Sequence, residues 1–512
     1  MAIDEVEDRD GNRIPRLRYG KTNKYNRFPR FVDLDELSDE VVSYVDTKIA
    51  SELEGFTPGG GSEFAGLYEN RVAVVDPEQG DDLTAEFGRT DKPFQRYAGG
   101  QGGTSPSEER VLGKIFAWEA ENGPLTKYNR ALVIFKPGIY EAENLAIKNY
   151  IDFYCMPGVI FKGSVTITSQ FFADQDGSLE MRMFGHAIFD DSDEPITGKQ
   201  PFIFLTGANT DIYIEMDRID SSSCAVFDGG NNSNFTFSCN KIETKSYNNS
   251  SGLSVRGYGG RSIINIKNYI RGWSRTYNFR LGEKDIIVNC PENYLSANSN
   301  NTGNFEMVIQ VDSWGANSTI KFNGDLINEE PAYNGGISAA FNTNAGNGTI
   351  EINGNIYGGA NRGMYIGTNG GNPTIKMNGN IISDYAAVVL TRGTTIFKNS
   401  TLINTNVGLP LESVAFLTTT AKAYFQDCLF YSGGTNNSAV SMQTTTCESY
   451  FYNCLYSGAN TTGFFILGFV PGINTQIHNT RSTKPLDAAN VTDVLSPTGL
   501  IVDTNLITPN FI

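Results

Sequence analysis

One short phrase returns six times between Thr319 and Gly458, and it limits the fold more than any other feature of the chain. It reads TIKFNGDLI at Thr319–Ile327, TIEINGNIY at Thr349–Tyr357 and TIKMNGNII at Thr374–Ile382. It then drifts to TIFKNSTLI at Thr395–Ile403, FQDCLFYSG at Phe425–Gly433 and FYNCLYSG at Phe451–Gly458. The residue after the Asn or Asp is Gly324, Gly354, Gly379, Ser400, Cys428 or Cys454, at steps of 30, 25, 21, 28 and 26 residues. A β-rich unit with a period of 20 to 30 residues is the mark of a solenoid. Apolar side chains alternate within each unit and so fall on one face of a strand. A single strand cannot bury that face, and the units must stack, with rungs about 4.8 Å apart. The Asn-Gly pairs at 323–324, 353–354 and 378–379 supply turns where left-handed backbone is cheap. Leucine-rich repeats need leucine spacings that are absent, and a β-sandwich would not return one phrase at near-fixed intervals. The expected fold is all-β: a single-stranded parallel β-helix.

A weaker ladder runs upstream through Ile188, Ile219, Ile242, Ile270 and Leu295 to Leu326, at steps of 31, 23, 28, 25 and 31. Together these predict roughly ten to twelve coils over residues 145–480. A chain of 512 residues is too long for one compact core, but a solenoid grows along its axis and escapes that limit.

Before the coils, residues 1–32 carry eight basic residues and one acid between Arg9 and Arg30, interleaved with Pro15, Tyr19, Tyr25, Phe28 and Pro29. This is expected to be an extended arm that docks on an acidic partner surface. Asp33–Glu54 has an apolar stripe (Leu34, Leu37, Val41, Val45, Ile49, Leu53) and acids in its first turn, which predicts a helix able to oligomerise over 33–56. Residues 57–67, with Pro58–Ser62 (PGGGS), form a flexible linker. Residues 68–144 supply a strand, a helix at 106–122 and further strands, a cap over the open apolar end of the solenoid. Residues 481–512 lose the repeat and are expected to cap the other end.

The net charge of −17 disfavours nucleic acid as a partner. The start MAIDEVEDRD lacks a basic segment and an apolar core, so no export signal is expected. The longest apolar run, Phe464–Val470, is too short to span a membrane. Seven cysteines in so long a chain are no disulfide framework. Cys428 and Cys454 share a phase on neighbouring coils, close enough for a bridge, though an inward ladder of thiols fits as well.

With these elements placed, the chain resembles the pectin-lyase-like family of right-handed parallel β-helices. The opening of that family matches VAVVDPEQGDD at 72–82, Pro93–Phe94, the helix near 108–121 and VIFKPGIY at 133–140. The resemblance covers about 68–480 and concerns fold more than activity. It implies a member of a group that holds polysaccharide lyases and hydrolases together with phage tailspikes, tail fibres and other virion appendages. The basic arm, the candidate oligomerising helix and the missing export signal are closer to the virion group, commonly homotrimers with β-helices side by side. On that resemblance the chain is a structural protein of the virion, assembled in the host cytoplasm. It joins other virion proteins through residues 1–56 and contacts host cell-surface polysaccharide. A polysaccharide depolymerase and a non-viral adhesion module are the rival functions, and no lyase signature carries over.

Two groups of residues are candidates for a site. Asp228, Arg256, Glu283 and Asp312 are spaced by 28, 27 and 29 residues, which predicts one surface column. Glu283 and Asp312 would then stand about 5 Å apart and Asp228 and Glu283 about 10 Å apart. Two carboxylates suit glycoside hydrolysis, one donating a proton while the other attacks or activates water. The catalytic candidates are therefore Asp228, Glu283 and Asp312. The second group is rich in arginine and aromatic residues: Arg256, Tyr258, Arg261, Arg271, Trp273, Arg275, Tyr277 and Arg280. Such mixtures bind acidic sugars or build protein interfaces. Asp190, Asp191, Asp193 and Glu194 offer oxygens for a structural calcium ion, but match no EF-hand spacing. A solvated acidic turn is the preferred reading, and no other cofactor or metal is expected.

Overall fold

A computed structural model describes residues 3–7, 13–17, 68, 70–97, 108–141, 145, 147–163, 165–167, 179–190, 203–205, 208–221, 224–244, 251–272, 275–280, 282–295, 307–315, 318–329, 339–359, 362–367, 372–405, 413–433, 438–458, 463–493 and 499–503. The chain divides into two compact units, residues 1–66 and 67–512. In the first, Ile3–Glu7 and Arg13–Leu17 pair antiparallel, so part of the expected extended arm is a hairpin. The candidate helix Asp33–Glu54 and the linker lie outside the described residues.

The second unit is a parallel β-helix. From Val165 to Gly468 the coils lay strands on three faces. In one coil these are Thr349–Asn353, Ile356–Gly359 and Arg362–Ile366. Their partners in the next coil are Thr374–Asn378, Ile381–Ser383 and Val388–Leu390, all parallel. The third face alone stacks twelve strands, while the first two faces join into one sheet of 26. That union arises because several coils run both faces as a single bent strand, such as Thr210–Ser221, Ser233–Thr244, Tyr258–Gly272 and Glu283–Leu295. The β-helix runs from Val72 to Val502, past both expected limits.

Period-two alternation builds the core. Ile214, Phe237, Ile264, Val288, Phe322, Ile352, Met377, Phe397, Phe425, Phe451 and Ile477 occupy one inward position on successive rungs. All are buried, and each such side chain contributes about 1.5–3 kcal/mol by leaving water. Phe397, Phe425 and Phe451 stack face to face, with centroids 5.0 and 5.1 Å apart. The helix Val111–Asn122 (α1) packs Val111, Leu112 and Ile115 into the same core. Gly123, at φ 88°, ends it. No helix among the described residues is long and apolar enough to cross a membrane.

The repeating phrase is the corner between the first and second faces. Gly324, Gly354 and Gly379 stack there, and a Cβ on Gly354 or Gly379 would meet the carbonyl of the glycine one rung away at 2.0 Å. From the next rung on, the left-handed residue is Asn399, Asp427, Asn453 or Asn479. Anchors Ser400, Cys428 and Cys454 follow directly, their carbonyls accepting from Leu429, Leu455 and Arg481. Cys428 and Cys454 are free and buried, the inward thiol ladder rather than a bridge. Their mutual hydrogen bond pushes the Cys428 thiol up.

Upstream the ladder slips. Ile219, Ile242 and Ile270 align as expected, but the partner of Ile219 is Phe189, not Ile188, and the partner of Ile270 is Asn293, not Leu295. Asn293 is a buried polar rung in an apolar column. Its amide donates to the carbonyls of Cys290 (3.1 Å) and Asp325 (2.8 Å), and it accepts from the Tyr277 hydroxyl at 2.5 Å.

Candidate functional site

The four residues expected in one column do not form one. Asp228 ends a third-face strand in register with Leu205 and Val255. It is fully buried. Its Oδ2 accepts from Lys284 Nζ at 2.8 Å and from Ser262 Oγ at 2.6 Å, and its Oδ1 accepts from the Gly230 N–H at 3.1 Å. It is an internal ion pair, out of reach of any polymer. Arg256 sits one residue beyond that register, exposed, with its guanidinium 5.4 Å from the Phe227 ring. Glu283 opens a first-face strand opposite Tyr258. The Asp312 backbone pairs with Arg280 and Ala345 on the third face. The side chains of Asp312 and Arg280, and Trp273 as a whole, lie outside the described residues. The column fails because the loops from second to third face differ in length. Eight residues separate Ile242 from Ser251, but four separate their rung partners Ile270 and Arg275, so equal sequence spacing does not give equal height on the coil.

The arginine–aromatic group also divides. Tyr277 is a core residue, its hydroxyl pushed well above its ordinary pKa by burial, and Arg275 is buried as well. Tyr258 and Arg261 are exposed at the start of their strand. Arg271 alone stands in a polar constellation, on the second face.

That constellation is two parallel columns. Asp190, Asp220, Glu243, Arg271 and Tyr294 are in register on successive rungs. Two positions earlier on the same strands stand Arg218, Lys241, Tyr269 and Glu292. Cross-column contacts join them: Arg218 Nε to Asp220 Oδ2 at 2.6 Å, and Lys241 Nζ to Glu243 Oε2 at 3.7 Å. The Tyr269 hydroxyl donates to Glu243 Oε1 at 2.7 Å, and that of Tyr294 donates to Glu292 Oε2 at 2.7 Å. The Arg271 guanidinium lies 5.0 Å from the Tyr294 ring centroid. Register places the carboxyls of Asp220 and Glu243 about 5 Å apart, and those of Asp190 and Glu243 about 10 Å apart. Burial raises the Asp220 pKa. Glu243 and Asp190 add to that rise, while Arg218 and Lys241 oppose it. Donating to Glu292, and then burial, pushes the Tyr294 hydroxyl up to about 12. At the adjoining corner His186 Nδ1 lies 3.3 Å from Asp217 Oδ2, and the Asn240 amide donates to Asp217 Oδ1 at 3.3 Å.

The sequence carried a signal for this site. Asp220, Glu243 and Arg271 each follow directly on the ladder residues Ile219, Ile242 and Ile270, which an alternating strand turns to the opposite side. Among the described residues no three His, Cys, Asp or Glu side chains gather closely enough to hold a metal ion. Of the acidic run proposed for calcium, only Asp190 is described, and it belongs to this column.

No family model, curated protein or solved structure matches the chain. Function must be argued from the geometry.

Proposed function

We propose that the chain is a virion appendage protein whose β-helix is a rigid rod that holds a polysaccharide-contacting face out from the particle. The observation that carries this is the double column on the second face. Carboxylates, guanidinium, ammonium and phenol groups alternate on consecutive rungs, and a polyhydroxylated chain laid along the axis meets donors and acceptors at each step. Arg218, Lys241 and Arg271 suit an acidic sugar despite the negative net charge, because they act locally. Weak contacts of this kind gain by repetition along one rod and across several rods. The division into units 1–66 and 67–512 supports an attaching part and a reaching part.

Affinity electrophoresis through polygalacturonate, with dextran as the neutral control, tests the binding face. The parent chain should be retarded by polygalacturonate at low salt, and Lys241→Ala with Arg271→Ala should migrate freely. Retardation that survives both substitutions would remove this face from the proposal. Deletion of residues 1–56 should leave binding intact and abolish incorporation into particles.

A second reading, a depolymerase, is favoured by one specific observation. Asp220 has a raised pKa beside Glu243, the division of labour that a proton donor and an ionised partner need. If this holds, the parent releases reducing ends from a bound polysaccharide, and Asp220→Asn or Glu243→Gln lowers the rate by about 10²–10⁴-fold. A polysaccharide that binds and stays uncut would leave the rod a binding protein alone.

A further inference from the structure

We infer a second ligand site, for a short uncharged oligosaccharide, on the first face of the C-terminal coils. Register turns three columns of side chains outward on this face. The middle column reads Lys321, Glu351, Lys376, Ile396, Tyr424, Tyr450 and Gln476. Its first three members are charged, with Lys376 Nζ bonded to Glu351 at 2.7 Å. Its last four are not. The next column passes from Gln426 to Tyr452 and His478 on the same rungs. Between the two columns lies a groove of about 490 Å³, in the size range of small-ligand sites rather than polymer tracks.

The lining selects the ligand. No Asp, Glu, Lys or Arg lines this groove, so no counter-charge awaits an ionic ligand. Tyr424 and Tyr450 stack at 4.4 Å with planes 4° apart. Each ring spends one face on the other, and the Tyr450 hydroxyl donates to Glu448. Tyr452 is 52% exposed and only tilted against His478, at 5.8 Å and 53°, so much of its ring is left for an apolar sugar face. Gln426 and Gln476 each bring an amide that donates and accepts, which a vicinal diol satisfies. A purely apolar ligand would leave these amides unmatched, and a charged one would find no Asp, Glu, Lys or Arg in the lining.

The site stands about seven rungs, roughly 34 Å, from Glu243 along the axis, and does not depend on the polysaccharide face proposed above. The test is ligand-observed NMR of the full chain with uncharged malto-, cello-, xylo- and manno-hexasaccharides at millimolar concentration. At least one should bind, and Tyr452→Ala should weaken it about tenfold, as should Gln476→Ala. Lys376→Gln, three rungs from Tyr450, should bind like the parent. Tyr452 is a surface residue, so circular dichroism of its alanine variant should match the parent. No binding by any of the four sugars would overturn the site, as would binding unchanged in both Tyr452→Ala and Gln476→Ala. Loss in Arg271→Ala with retention in Tyr452→Ala would also overturn it, by transferring the sugar to the charged columns.

Discussion

The coils over residues 210–328 and those over 349–482 solve the same corner in different ways. In the earlier coils one strand of 10 to 15 residues bends through both faces. Register shifts at Cys239/Lys241, Asn265/Tyr269 and Asn289/Glu292 absorb the bend. In the later coils the strand stops and restarts across one or two residues, from Asn399 on with a left-handed Asn or Asp. The interiors differ in step. The earlier coils enclose the ion pair Asp228–Lys284 and the Asn293–Tyr277 bond. The later ones enclose the phenylalanine stack with small hydroxyls beside it. A bulged corner tolerates insertions and re-aims side chains, so polar groups can settle inside and functional ones outside. A fixed corner repeats faithfully and leaves little room for either.

Because each rung touches only its neighbours, damage should stay local. The largest expected effect is Asp228→Ala, which strands the Lys284 ammonium in a dry interior at a cost of about 3–5 kcal/mol. Amide exchange should accelerate on the strands holding residues 226–228, 262 and 284 and stay unchanged near 425. Replacing the pair together, Asp228→Leu with Lys284→Met, should restore most of the protection. If the single and double variants behave alike, the interior there is wetter than its burial indicates. Phe425→Ala is the mirror experiment. It opens a cavity in the aromatic stack, costs about 3–5 kcal/mol and should accelerate exchange on neighbouring later rungs only. Exchange that spreads from either variant across the whole rod would break the comparison.

The same contrast explains what the sequence revealed. The later coils were legible because a tight corner admits few residues: Asn, Asp, Gly or a small side chain must recur, and their period exposes the solenoid. Earlier coils were harder, since bulges change the count between equivalent residues. The slip at Leu295 has that cause, with Asn293 standing in a column where an apolar residue is expected. The candidate column of Asp228, Glu283 and Asp312 failed for a related reason, unequal loops between second and third faces. The columns around Asp220 and Glu243 were within one residue of the ladder already visible. Arg218, two residues before Asp220 on the same strand, was legible too, but sequence alone could not show that the next strand brings Tyr269 against Glu243. The groove at Tyr452 was hidden differently: its aromatic residues are ordinary in strands, and only register shows charge leaving the column where they begin.

A smaller effect probes the fixed corner. Asn453 holds φ 53°, donates to Asp427 Oδ1 at 3.1 Å and accepts from Asn479 at 2.8 Å. Asn453→Ala keeps the left-handed strain and loses both bonds, for about 1–2 kcal/mol. Asn453→Gly relieves the strain and should recover part of the loss. Thermal melts of the three chains should rank parent, glycine, alanine. An alanine variant equal to the parent would mean that left-handed asparagine is not what holds this corner.

The smallest effect should carry opposite signs in the two regions. Burial, with Glu243 and Asp190, raises the Asp220 pKa, so the fold binds its proton more tightly than the unfolded chain does. Its contribution is present below the ordinary aspartate value of about 4 and is lost as pH rises through the raised value. Glu448 is the reverse: the Lys422 bond, then that of Tyr450, lowers its pKa. Its contribution is present above the ordinary glutamate value and is lost as pH falls through the lowered one. At pH 7, Asp220→Asn should therefore slow exchange on the earlier rungs slightly, and Glu448→Gln should speed it on the later rungs. Both effects are at most about 0.5 kcal/mol because both groups remain in contact with solvent. Below pH 4 the first difference should shrink, as the parent aspartate is then neutral too. If Asp220→Asn instead destabilises at pH 7, then Arg218 and Lys241 outweigh burial and the neighbouring carboxylates. The acid of the second reading would then stay ionised, unable to donate a proton, and the double column would be left as a binding face.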